Sequence, residues 1–526
     1  MTARPLPDGR AIRTLLTAVG ALASAQAVLW HRAVAEGNAY RPAALALAIA
    51  ASLAGFAVGL LSTSGRTAPG ALRRAGALVA TAGLLQFLAL PASAWLLTRS
   101  VEAGRIALVI AAASTAVCAG RAARRLSAVG PTTPAASPEA VADALGAVLV
   151  GAALGGALTR YVLLDVETLE RAVLAVTFAS VGAGQLFWWL SSGPRRAGLT
   201  VLSLLALMAL VTHGAGYSHL LERLHFGPGS REVAYRTVVQ GRDGIVGVTA
   251  DGQAYADGLY QDAYSLDAES NSNLISRAYF VPALHRTPRH ILQLGFGTGT
   301  WTRVLADTRG VDSLTVIEPN AAVLETVWRH PEIASVLDDP RVRLYAESSR
   351  RWLARHPGAR FDVVIVNAPW HWRQGATHQL SAEFLRVVKA HLAPGGVAYV
   401  AITGSLDVLY TMAGVWRHVM RVSNSAAASD APFDQSRDER RAELLQVVGA
   451  DGQPRIRGVG ASATLEAMLN SASGELAPAL RRANDLWNVT DDNMATEFKA
   501  SGAGAWWRAL PARVWRPDRA WPTVLF

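Results

Sequence analysis

Seven apolar runs between residues 14 and 212, parted by short loops that carry arginine, constrain what this chain can fold into more than any other feature. They fall near 14–31, 42–62, 75–97, 106–120, 140–159, 172–191 and 197–212. A helix needs about 20 apolar residues to cross the hydrocarbon core of a bilayer. The pattern therefore predicts a transmembrane helical bundle of about seven spans over 1–212, with the fourth and seventh runs short against that length. Composition agrees: 51% of residues are hydrophobic and 17% charged, more apolar than a water-soluble chain. The first run is read as a span and not as a cleaved signal peptide, because it is long and similar runs follow it. Small residues dominate the runs and let helices approach closely. No run carries an internal charge of the kind that marks an ion or proton path.

The loops predict an orientation. Eleven arginines lie in the N-terminal tail and the second, fourth and sixth loops, against six in the other three, which also carry Glu36, Glu102, Asp165, Glu167 and Glu170. The positive-inside rule then puts the N-terminus in the cytoplasm. The expected location is a bacterial plasma (inner) membrane, multi-pass; seven spans would leave the C-terminal part outside, which conflicts with a cytosolic ligand, and its side stays open. The net charge of +10 is carried almost wholly by arginine, with Lys389 and Lys499 the only lysines. Such a bias reads as coding bias, and no nucleic-acid partner is expected from it. The single cysteine, Cys118, lies in an apolar run and allows no disulfide within the chain.

Residues 213–232 are expected to form a linker, with Gly214, Gly216 and Gly227-Pro228-Gly229 breaking any helix. Residues 233–285 then read as a small antiparallel β unit with a following helix near 270–284, its Asp-Gly turns at Asp243, Asp251 and Asp257. The stretch ILQLGFGTGTWTRVLADTRGVDSLTVIE (Ile291 to Glu318) reads as strand, glycine turn, helix, strand. Glycines allow a tight turn and let backbone N–H groups approach a nucleotide at a helix N-terminus, and an acid about 20 residues on can accept both ribose hydroxyls. The spacing is G-x-G-x-G, with Thr300 where a dinucleotide fingerprint has glycine or alanine. That favours an S-adenosyl-type ligand over NAD. Strands and helices continue to alternate to the GVAYVAIT strand after Gly396, which predicts a doubly wound parallel sheet, an α/β Rossmann-like domain over 286–500. Its strand ends carry Gly295, Glu318, Glu347 and Asn367. Residues 430–460 are expected to be a solvated loop, and the Trp/Arg-rich tail 501–526 to pack on the fold or lie on the membrane.

The order of these motifs resembles the spermidine synthase (polyamine aminopropyltransferase) family, in the form fused to an N-terminal membrane domain. The residues that carry the resemblance are the β unit with Asp251-Gly252, LGFGTGT, VIEPN, DDPRVRLYAESSRRWL, FDVVIVNAPW, THQLSAEFLRVVKAHLAPGGV and, near the end, VTDDNMATEF (Val489 to Phe498). They span about 233–410 plus that ending. The resemblance implies that Gly295, Gly297 and Gly299 approach the methionine-derived part of the ligand, that Glu318 holds the ribose hydroxyls, and that Glu347 and Ser348 sit by the adenine. It implies decarboxylated S-adenosylmethionine or S-adenosylmethionine as donor, no metal, a small amine such as putrescine as partner beside the lipid bilayer, and Trp370 and Gln374 in the substrate loop.

The departures concern the amine half. Aminopropyl transfer needs a neutral amine and a carboxylate to take its proton. The family places that aspartate at the end of the fourth strand in an Asp-x-x-Asp-type loop; this chain has Asn367 and Trp370. Leu274, Ile275 and Ser276 stand where the family has Tyr-His-Glu. Asp257, Asp262, Asp267 and Glu269 lie close by, each expected to be a solvated turn residue. Asn367-Ala368-Pro369-Trp370 is also similar to the Asn-Pro-Pro-aromatic loop of amino-methyltransferases, and Trp370, His371, Trp372, Arg373 and His378 are read as a loop over the pocket rather than a metal site. The leading expectation is a membrane-bound, spermidine-synthase-like transferase of polyamine metabolism. The competing ones are a non-catalytic nucleotide-fold scaffold and an S-adenosylmethionine-dependent methyltransferase.

Overall fold

The computed structural model describes residues 9–62, 70–129, 138–191 and 196–499, which divide into two compact units near residue 235. The tail 501–526 lies outside the described residues. Among the described residues, seven helices are long and apolar enough to cross a membrane. They are α1 (Gly9–Gly37), α2 (Pro42–Leu61), α3 (Ala71–Leu97), α4 (Val101–Ser127), α5 (Pro138–Val166), α6 (Leu169–Leu190) and α7 (Arg196–Tyr217). The fourth run, short in sequence, is a 27-residue helix. Its N-terminus starts at the Ser100 cap and its last turn carries Arg124 and Arg125, which suit the negative end of a helix dipole.

Glycine sets how closely these helices meet. A Cβ on Gly20, Gly151 or Gly155 would overlap the facing backbone between α1 and α5, and one on Gly55, Gly59 or Gly120 would do so between α2 and α4. Contacts of this closeness replace the hydrophobic drive that lipid cannot supply. Side-chain hydrogen bonds add to them: Gln26 donates to Ser180 Oγ at 3.2 Å, Gln86 to the Gln26 carbonyl at 3.0 Å, and Trp30 to Thr115 at 3.0 Å.

Two expectations for this half are corrected. Helix α1 runs past residue 31 to Gly37, so Arg32 and Glu36, read as loop residues, lie in its last turns. There Glu36 is wholly buried and fully partnered, at 2.9 Å each from Arg32 Nε, His225 Nε2 and the Tyr40 hydroxyl. Residues 213–217 continue α7 through Gly214 and Gly216, and Leu220–Phe226 form a further helix. Glycine in a helix costs only about 1 kcal/mol, too little to break one whose other residues are apolar.

The second unit opens with a four-stranded antiparallel sheet, β1 (Tyr235–Gly241), β2 (Gly244–Thr249), β3 (Gln253–Ala256) and β4 (Leu259–Ala263), in sequence order. Asp251-Gly252 and Asp257-Gly258 fall between two of these strands, and Asp243-Gly244 leads into β2. The larger sheet contains β5 (His290–Leu294), β6 (Ser313–Ile317), β7 (Val342–Tyr345), β8 (Phe361–Val366), β9 (Leu392–Ala401), β10 (His418–Val422), β11 (Ser425–Ser429) and β12 (Ala472–Glu475). Their order is β12-β10-β11-β9-β8-β5-β6-β7. Strands β5 to β9 pair in parallel, with Leu292 opposite Thr315 and Val364. The side-chain alternation of period two divides the core between the faces: Ile291, Val316 and Ile365 pack on one, Leu292, Ile317 and Val366 on the other.

The sheet is not parallel throughout. Strand β11 runs antiparallel to β9 and β10, and β12 antiparallel to β10. The expected loop over 430–460 contains a helix, Arg437–Leu444, closed by a capping box in which Ser436 and Glu439 satisfy each other's backbone N–H. The helix expected over 270–284 is reduced to two short turns, Ser276–Tyr279 and Val281–Ala283, because Pro282 removes a backbone donor.

Candidate active site

In an open parallel sheet a ligand site forms beyond the carboxyl ends of the strands, where the strand order reverses. Here the reversal lies between β5 and β8. Asn367 N donates to the Leu294 carbonyl and Gly295 N to the Ile317 carbonyl, both at 2.8 Å, so the ends of β5, β6 and β8 are tied together. Beyond them the chain turns through Gly295, Gly297 and Gly299, all in the left-handed region with φ of 95°, 59° and 80°. At Gly295 a side chain is doubly excluded, because its Cβ would stand 2.8 Å from the Asn367 carbonyl. The loop feeds the helix Thr300–Ala306.

Two buried acids hold this loop. Glu318, at the end of β6, accepts from the Phe296 N–H at 2.9 Å on Oε2 and from the Asn320 N–H at 2.8 Å on Oε1. Burial pushes its carboxyl above the ordinary range, against the pull of these backbone donors. Each carboxylate oxygen keeps a lone pair for a further donor, so the residue fits a pair of ribose hydroxyls. Asp262, from β4, accepts from the Thr298 and Thr300 hydroxyls at 2.6 and 2.7 Å and from the Ala263 N–H at 2.8 Å. Burial pushes its carboxyl up as well, and the nearby Arg277 guanidinium opposes that rise. Arg277 itself lies 5.2 Å over the Trp301 ring and donates to Asn424 at 2.9 Å.

Asp262 was expected in a solvated turn, as was Asp257. Both are 6% exposed. Asp257 accepts from the Ile245 N–H at 2.6 Å and pairs with Arg373 from the loop after β8. Burial in LYQDA does not alternate, with Gln261 exposed and both Asp262 and Ala263 buried, so the strand pattern does not mark Asp262. Gln261 also belongs to the site: a Cβ on Gly297 would be 3.7 Å from its Nε2 and 3.5 Å from Asn367 Nδ2. Asp267 and Glu269 are exposed and line a separate cavity of about 450 Å³ with Tyr264, Tyr279 and Arg455. Ile275, in the segment aligned with Tyr-His-Glu, is wholly buried in the core.

The other expected residues are placed less uniformly. Asn367 is half-buried over Gly295 and Gly297. Trp370 donates through Nε1 to the Tyr260 carbonyl at 3.4 Å, and its ring lies 6.2 Å from Trp372. Gln374 and Ser348 are exposed, and Glu347 pairs with Arg355. His371 bonds Thr403 Oγ1 at 2.8 Å while His378 is exposed, so the two rings have different surroundings.

The buried acids carry a pH prediction. Folding raises the carboxyl pKa of Asp262, so its protonated form is favoured in the fold. Its contribution to stability is complete below the ordinary carboxylate range and is lost as pH rises through the raised value. Glu318 has the same sign. The full chain in detergent should therefore melt lower as pH rises through that window, and Asp262→Asn should flatten part of the fall. Parallel melting curves for the two proteins would contradict this.

The sequence is similar to known proteins in this region. A methyltransferase small domain family matches residues 275–427. The polyamine aminopropyltransferase of Aeropyrum pernix is 29% identical over 188 residues, covering 33% of this chain and 58% of that protein. That of Mycobacterium tuberculosis is 27% identical over 295 residues, covering 53% of this chain and 54% of that protein. The chain thus spans little more than half the length of these curated relatives. Among solved structures, a spermidine synthase from Thermotoga maritima aligns with a TM-score of 0.33 at 16% identity, covering 40% of this chain and 84% of that one.

Proposed function

We propose, from the similarity of this chain to the polyamine aminopropyltransferases and from the geometry of its glycine loop, that it is a membrane-bound protein that binds an S-adenosyl-type nucleoside and transfers an aminopropyl group to a small amine. One observation carries the reading: three left-handed glycines turn the chain beside a buried carboxylate, Glu318, which is held by the loop's own N–H groups. Glu318 would hold the ribose, Glu347 and Ser348 the adenine end, and Asn367 and Trp370 would border the acceptor.

Decarboxylated S-adenosylmethionine is the donor that supplies such a group. The amine nitrogen attacks the carbon next to the sulfonium, the C–S bond breaks, methylthioadenosine leaves, and the new ammonium gives up a proton. Asn367 can orient the amine through its amide oxygen but cannot take that proton near neutral pH, so the proton passes to solvent. The full chain in detergent, given decarboxylated S-adenosylmethionine and putrescine, should release methylthioadenosine only when the amine is present. Release that ignores the amine, or no release, contradicts the transfer and leaves the scaffold reading favoured by Asn367.

The membrane half adds a prediction. With the N-terminus in the cytoplasm, as the arginine bias indicates, seven crossings place the C-terminus on the opposite face. A reporter fused after Phe526 should then read as extracytoplasmic, and the nucleoside must reach the site from that side. A cytoplasmic signal would mean that one apolar helix does not cross or that the N-terminus lies outside.

A further inference from the structure

The ending Val489–Phe498 has no part in the chemistry above, yet it is fastened to the loop that carries Trp370. Glu497 is wholly buried. Its Oε2 accepts from the Gly375 N–H at 3.1 Å and its Oε1 from the Thr377 N–H at 2.9 Å. Asp491 receives both Nη1 and Nη2 of Arg350, at 2.8 and 2.7 Å, and the same guanidinium donates from Nε to the His378 carbonyl at 2.7 Å. The Val489 carbonyl accepts from the Ala382 N–H at 2.8 Å. The far side of the loop, from Gly375 to Ala382, is thus held by the segment that carries Val489, Asp491 and Glu497.

The near side is held from elsewhere in the same unit. Arg373 pairs with Asp257, Trp370 donates to the Tyr260 carbonyl, and the His371 N–H donates to Thr403 Oγ1 at 3.0 Å. A loop fixed at both sides presents Asn367, Trp370 and Trp372 in one arrangement. A carboxylate serving two backbone N–H groups is among the stronger anchors a side chain can give.

We propose that Glu497 is a positioning residue for acceptor binding: by holding the Gly375 and Thr377 N–H groups it sets the loop that borders the amine, while the nucleoside site is held independently by Glu318 and Asp262. This rests on the transfer reading for the loop's role, but the anchoring itself can be read without activity. In the full chain in detergent, Glu497→Gln should speed hydrogen exchange in 371–378 by about tenfold or more, with 295–300 unchanged and the melting temperature lowered by no more than a few degrees. It should also raise the KM for putrescine by about tenfold while kcat and nucleoside affinity hold, and Glu497→Asp, which keeps the carboxylate, should lose less than Glu497→Gln. Asp491→Asn, a second variant at the same strap, should speed exchange around 378–382.

Unchanged exchange in 371–378 overturns the proposal. So does loss of protection in 295–300 together with 371–378, which is what a merely structural role would give, or faster loop exchange with an unchanged KM. If the chain transfers no aminopropyl group, the transfer reading fails separately. Exchange confined to 371–378 then still upholds the anchoring, and uniform exchange rejects it.

Discussion

Glu318→Gln should weaken the nucleoside binding proposed above by about 10- to 100-fold, the range expected when a hydrogen-bonding charge is lost from a buried site. The carboxylate accepts from Phe296 and Asn320 and so shapes the loop that meets the ligand. An amide offers one acceptor oxygen and turns an NH₂ toward a backbone N–H, leaving donors opposed. It also removes the charge that the proposed ribose contact would use. Burial disfavours the ionised form and pushes the pKa up, so the neutral amide relieves that cost. The loss should therefore appear in affinity and much less in melting temperature. Titration of both proteins with the same nucleoside checks this, and a change below about twofold would show that Glu318 serves the fold alone.

Asn367→Asp has the larger expected effect on rate. The residue stands at the end of β8, half-buried over Gly295 and Gly297, where the resemblance calls for an aspartate. A positioned carboxylate can take the proton that the amide leaves to solvent, and general-base catalysis is worth about 10²- to 10⁴-fold. Initial rates with putrescine should rise by at least about 100-fold. The gain should be absent at low pH and appear as the new carboxyl ionises. A rate that stays at zero would show that the acceptor pocket is lacking altogether, and the scaffold reading would stand.

The glycine turn and Glu318 were legible in the sequence because their signals are local. Gly295, Gly297 and Gly299 follow an apolar strand, and Glu318 closes the next one, so both turn and acid could be placed from spacing. Asp262 and Asp257 were not legible as buried groups, since their partners, Thr298, Thr300 and Arg373, come from distant segments. Burying such an acid requires those partners, and spacing along the chain does not name them. Strands β11 and β12 escaped for another reason: SAAAS and ASGE carry little β propensity, and they are strands because β9 and β10 offer them edges to pair with. The helix Arg437–Leu444 had a readable signal in Ser436 and Glu439, outweighed by its charge. In the N-terminal unit, apolar runs marked the helices but not their ends, so the buried Arg32 and Glu36 were taken for loop residues.

Calorimetric titration of the full chain in detergent with S-adenosylmethionine, its decarboxylated form and methylthioadenosine tests the central claim most directly. The account predicts saturable binding of decarboxylated S-adenosylmethionine and methylthioadenosine, lost or strongly weakened in Glu318→Gln. No heat with any of the three would contradict a nucleoside site at the glycine loop.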